Sequence, residues 1–87
     1  MISNLNREHL LNVLVKTTNR EDMEKLLSSL CSESELDKMS QRLLVAKMFS
    51  EGAKYADVKK ATNASSATLA KIKFDLLYGN KGLQLGV

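Results

Sequence analysis

Apolar residues recur along this chain at spacings of three and four, and nowhere do they alternate with polar ones over the length of a strand. The pattern predicts an all-α chain of five to six short helices. A first helix is expected from about residue 6 to residue 16, with Leu10, Leu11, Val13 and Leu14 on its apolar side. The polar stretch KTTN ends it. Thr18, with Glu21 three residues on, fits a capping box for a second helix. In that helix Met23, Leu26, Leu27, Leu30 and Cys31 form a stripe at i, i+3, i+4, i+7 and i+8. Ser32 and Glu35 offer another box, opening a third helix that runs to Glu51, and Gly52 fits the left-handed position after its end. A short fourth helix is expected at about residues 55 to 62, with no Ser, Thr, Asp or Asn ahead of it as a cap. A fifth follows at about residues 66 to 78, capped by Ser65 or Ser66 and closed by Gly79 and Asn80. The final KGLQLGV reads as a loose tail.

The third helix changes the picture. Leu36, Met39 and Leu43 share one face, but Leu43, Leu44, Val45, Ala46, Met48 and Phe49 are apolar nearly all round. Such a helix needs cover on every side, which a few short partners in an 87-residue chain supply poorly. A second copy of the chain would supply it. The expectation is an extensive, intertwined homodimer with Leu43, Leu44, Met48 and Phe49 in its core. The chain then reads as one domain over residues 1–87, with dimerisation helices in 1–53, a helix-turn-helix in 54–79 and the tail in 80–87.

Charge adds a direction. The net charge is only +3, yet residues 1–53 hold seven basic and eight acidic residues, whereas residues 54–87 hold six lysines against Asp57 and Asp75. A net of +4 in the last third suggests a polyanionic partner there. The single cysteine, Cys31, suits a reducing compartment, and neither a signal segment nor a membrane-spanning run is visible. A cytoplasmic protein without membrane attachment is expected.

Between the last two helices lies TNASS, four small residues after a threonine. A helix-turn-helix needs an apolar lock between its helices, a turn residue that tolerates positive φ, and a second helix whose outer face can approach base edges. Val58, Ala64, Leu69 and Ile72 are spaced to form the lock, and Asn63 suits the left-handed turn position. Ser65, Ser66, Ala67, Ala70 and Lys71 then fall on the exposed N-terminal face of the second helix. Double-stranded DNA is the expected partner. Lys59, Lys60 and Lys71, with Lys54 and Lys73 nearby, are the candidate phosphate contacts. Arg42 is a candidate either for DNA or for pairing across the dimer with Glu35 or Glu51.

Residues 30–82 resemble the Trp repressor superfamily, and within it the YerC/YecD-type branch. The resemblance rests on Gln41-Arg42-Leu43, Val45-Ala46, Met48, Gly52 and Tyr55, then Thr62-Asn63-Ala64-Ser65 with Ala67-Thr68-Leu69, then Leu77-Tyr78-Gly79-Asn80. It implies an interlocked all-α homodimer that binds operator DNA as a transcriptional regulator, most simply a repressor. Asn63 stands where the family has glycine in the turn, and Ala70-Lys71 where it has a Ser/Thr-Arg pair. On an ungapped alignment the two arginines that grip the tryptophan co-repressor fall at Gln41 and Lys71, and the glycine that makes room for it at Ile72. Tryptophan is therefore not expected as a ligand.

Catalysis finds no footing in the sequence. His9 and Cys31 are the single representatives of their kinds, so one chain assembles neither a metal cluster nor a Cys/His couple. Thr68-Leu69-Ala70-Lys71 lacks the motifs that accompany the Ser-x-x-Lys of hydrolases. No cofactor, metal site or enzymatic activity is expected. The competing reading is a helical protein-interaction module that keeps the fold without specific DNA binding, favoured by Asn63 and by the lack of arginine in residues 43–87.

Overall fold

A computed structural model describes residues 2–79 and 81–86, and α1 (Ile2–Lys16), α2 (Arg20–Leu30), α3 (Glu33–Ser50), α4 (Tyr55–Thr62) and α5 (Ser66–Tyr78) account for most of them. Asn80, expected to help close the last helix, lies outside the described residues. No helix among the described residues is long and apolar enough to cross a membrane. The chain divides into two compact units, one up to Leu36 and one from Asp37 onward, so α3 begins in the first and continues through the second.

In the first unit, α1 starts at Ile2 rather than near residue 6. Ser3 and Asn4 are modest helix formers, but no glycine or proline intervenes, so the helix simply extends. It closes at Thr17, whose backbone N–H and Oγ1 both donate to the Val13 carbonyl, at 3.1 and 2.7 Å. The cap of α2 is Asn19, not Thr18. The Asn19 Oδ1 accepts from the Asp22 N–H at 2.8 Å, while Asn19 Nδ2 donates to Asp22 Oδ2 at 2.9 Å. Asparagine is the better cap, and in place of a reciprocal box the Asp22 carboxylate takes the Asn19 side-chain amide. Cys31 ends the helix as its C-cap rather than continuing the stripe. The expected Ser32–Glu35 box forms as drawn: Ser32 N–H donates to Glu35 Oε1 at 2.8 Å and Glu35 N–H to Ser32 Oγ at 3.1 Å.

In the second unit, α3 ends in a Schellman motif. Ala53 N–H reaches the Met48 carbonyl and Gly52 N–H the Phe49 carbonyl, both at 3.0 Å, with Gly52 at φ 84°. Nothing crowds a Cβ at Gly52, so the positive φ is the reason for glycine there. The core consists of Val45 and Ala46 of α3, Val58 of α4, Ala64 of the turn, and Leu69 and Ile72 of α5. Met48, Phe49, Ala53, Leu76 and Leu83 pack around it. Of the four residues expected at a dimer core, Met48 and Phe49 thus already lean on the chain's own core. Leu43 and Leu44 each remain 46% exposed. The tail is not loose: Gly82–Gly86 forms a 3₁₀ helix, Leu83 is half-buried, and Gln84 Nε2 donates to the Leu76 carbonyl at 3.1 Å. Leu83 packs against the buried core, which gives the segment its order.

Candidate nucleic-acid interface

All four lock residues are interior: Val58 and Leu69 are fully buried, and Ala64 and Ile72 nearly so. Two helices sharing a core of this kind cannot slide past one another without opening it. Between them Asn63 takes the left-handed conformation, φ 57° and ψ 23°, and its N–H closes α4 on the Lys59 carbonyl at 2.9 Å. The next turn of chain belongs to Ser65, whose Oγ accepts from the Thr68 N–H at 3.1 Å. Ser65 is therefore the cap of α5. Ser66 is its first helical residue, and its Oγ is left to other partners.

One of those partners is Lys59. Its Nζ donates to Ser66 Oγ at 3.1 Å, which brings an ammonium group to the N-terminus of α5. A lysine has three donors, so two remain for another oxygen. The cation and the positive end of the helix then reinforce one another toward an anion. Lys54, Lys59, Lys60, Ser65, Ser66, Ala67, Ala70 and Lys71 are all exposed. The ion pairs seen among the described residues, Arg20–Glu24 and Lys25–Glu21, both lie on α2 and involve none of these lysines.

Lys73, also exposed, lies apart from Lys71 on α5. It follows Lys71 by two residues, about 200° round the helix, and its Nζ sits 5.2 Å from the centre of the Phe49 ring. Farther along α5, Phe74 and Tyr78 pack against each other with ring planes tilted by 54° and centres 5.1 Å apart, and are largely exposed. The outer face of α5 is thus small and polar at its start and aromatic at its end.

Three further residues belong to this region, of which Arg42 is already a candidate for DNA. Arg42 of α3 lines a cleft of about 520 Å³ together with Ala67, Thr68, Lys71, Ile72, Phe74, Asp75 and Leu83. Arginine at 42 and lysine at 71 therefore border one space. Ile72 turns into the core and forms a wall of that cleft without filling it. The other two are Tyr55, whose hydroxyl donates to the Ser66 carbonyl at 3.0 Å, and Gln41, whose Nε2 donates to the Thr62 carbonyl at 3.0 Å. Both reach backbone atoms distant in sequence, a kind of contact for which residue spacing leaves no signature.

The comparisons with known proteins agree with this geometry. The family model of the Trp repressor protein matches residues 6–85. YerC, an uncharacterized protein of Bacillus subtilis (strain 168), is 31% identical over 80 residues, spanning 92% of this chain and 77% of that one. Among solved structures, a Trp repressor candidate from Staphylococcus aureus superimposes with a TM-score of 0.87 at 32% identity, covering 93% of this chain and 81% of its own. A TrpR-like protein from Eubacterium eligens ATCC 27750 gives 0.85 at 31% identity, covering 90% and 80%. With a family match over nearly its whole length and an all-α fold shared with such neighbours, the chain belongs to the Trp repressor protein family.

Proposed function

We propose that this protein is a cytoplasmic, homodimeric regulator of transcription, most simply a repressor, that binds specific double-stranded DNA through α4 and α5. The observation that carries the reading is the N-terminal end of α5. There a buried lock fixes the helix, Ser66, Ala67 and Ala70 present little bulk, and Lys59 stands within hydrogen-bond reach of Ser66. Short side chains let a helix enter the major groove, while lysines neutralise phosphates on either side. Family membership supports the same reading. Dimerisation is supported by the apolar residues the single chain leaves open, among them Leu10 and Leu11 on α1, Leu30 on α2 and Leu43 and Leu44 on α3. Two subunits would also place two copies of α5 on one duplex.

Selection of bound sequences from a random duplex pool, followed by footprinting, tests this directly. Two protected half-sites about one helical turn apart are expected. Absence of any protected site at low salt would defeat the proposal in favour of a protein-interaction module. Ala67→Glu, which thrusts a carboxylate into the groove from an exposed position, should abolish the footprint while leaving the helical content unchanged.

A further inference from the structure

The turn between α4 and α5 has three residues, Asn63, Ala64 and Ser65, and side chains from elsewhere grip it on both sides. On the α4 side, the carbonyl of Thr62 is one of the helix's last four, which have no partner within the helix. Gln41 supplies that partner through Nε2 at 3.0 Å. Gln41 sits one turn before Val45 on α3, and Val45 is completely buried, so the donor stands on the most fixed part of the core. On the α5 side, the Tyr55 hydroxyl donates to the Ser66 carbonyl at 3.0 Å and Lys59 to the Ser66 hydroxyl. Tyr55 is itself packed near Phe49, with ring centres 6.3 Å apart. The end of α4, from which the turn springs, is therefore tied to α3, and the start of α5 to α4, by hydrogen bonds that the apolar lock does not require.

We infer that Gln41 and Tyr55 are positioning residues for DNA recognition, holding the first turn of α5 at the attitude from which Ser66, Ala67 and Ala70 read base edges. The inference rests on the DNA-binding reading above. Neither side chain needs to touch DNA. An apolar lock alone permits small rocking of α5 about the turn, since Leu69 and Ile72 lie one to two turns beyond Ser66. Phosphate contacts made by flexible lysines survive such rocking. Base contacts, which depend on direction and distance, do not.

The consequence is a split between two affinities. Tyr55→Phe removes one hydroxyl and keeps the ring, and Gln41→Met keeps the length of the side chain without its donor. For each variant and the wild type, full-length protein is titrated with a duplex selected against the wild type and with a random duplex at several salt concentrations. Thermal unfolding is followed alongside. The expected result is a loss of about tenfold on the selected duplex, as two symmetric hydrogen bonds go, with affinity for the random duplex and its salt slope unchanged. Amide exchange at Ala64, Ser66 and Ala67 should accelerate in both variants. A ratio of selected to random affinity that stays at the wild-type value overturns the positioning role alone, whether or not thermal stability falls. A wild type with no preference for any duplex overturns the DNA-binding reading and this inference with it. If Gln41→Met fails to fold, Tyr55→Phe still decides.

Discussion

The two units of this chain use the same helical vocabulary and reach opposite results. From Asp37 onward, α3, α4 and α5 meet around six buried residues, with the end of α3 closed by a turn, the end of α4 by Asn63 and Gln41, and the start of α5 by Ser65. Up to Leu36, α2 has a regular apolar stripe and a good N-cap, and α3 opens on a capping box, yet no residue from 4 to 36 is buried. Met23, Leu26, Leu27 and Cys31 are half-covered, and Leu10, Leu11 and Leu30 are open. Local rules are obeyed equally well in both. The difference is in what the stripes meet. An apolar stripe raises a helix's stability only when it is covered, and short isolated helices are marginal in water. The first unit therefore looks outward for its stability, which is the physical content of the proposed dimer.

The sharpest way to break this comparison is Leu44→Asp. Leu44 is only half-covered in one chain, so a self-sufficient monomer would tolerate the carboxylate at a cost of at most about 1 kcal/mol. In a dimer core the same charge is buried without a partner, and cooperative folding should be lost. Circular dichroism with sedimentation at micromolar concentration separates these, and a folded wild-type monomer would itself defeat the dimer. Leu69→Ala probes the other unit. Its side chain is fully buried, so the substitution should destabilise by about 2–5 kcal/mol, read from denaturant unfolding.

The units also differ in charge, and Lys59→Ala tests what the basic end is for. With Lys59, Lys60 and Lys71 each neutralising a phosphate in both subunits, log affinity should fall against log salt with a slope of roughly −5. Losing Lys59 twice should flatten it by about 2, and should weaken selected and random duplexes alike. Unequal weakening would mean that Lys59, through Ser66, acts on base reading instead. Its contact with Ser66 Oγ makes that a real alternative outcome.

How far the sequence reveals all this follows the same division between local and distant. The four lock residues, the left-handed Asn63, the glycine after α3 and the Ser32–Glu35 box were legible because each depends on neighbours within a few positions. So was the exposed face of α5. The cap of α2 was misplaced by one because Thr18 and Asn19 both suit the role and only geometry chooses. The 3₁₀ helix at the end was missed because its order comes from Leu83 and Gln84 meeting surfaces made elsewhere. The hydrogen bonds of Gln41 and Tyr55 leave no trace in the sequence for the same reason. Their acceptors are main-chain carbonyls 21 and 11 residues away, and a carbonyl has no letter in the sequence. Lys73 is close to Lys71 along the chain, but its ammonium group lies over the ring of Phe49.

The smallest expected effect is at Asn63, and it bears on how the two units are joined. At φ 57° a residue with a Cβ is strained, less so for asparagine than for alanine. Asn63→Ala should therefore cost about 1 kcal/mol. Asn63→Gly should stay within roughly 0.5 kcal/mol of the wild type, because relief of strain is offset by the greater freedom of glycine in the unfolded chain. What matters is where the loss is felt. If the helices up to Leu36 are held by the same dimer that holds the core, amide protection in α2 should fall with Asn63→Ala by as much as it falls in α4 and α5, since one cooperative transition governs both. A loss confined to α4 and α5 would show that the first unit opens independently. The dimer would then be held by contacts that do not require the helix-turn-helix to be intact. Hydrogen exchange of the two variants, measured at one protein concentration, distinguishes these outcomes.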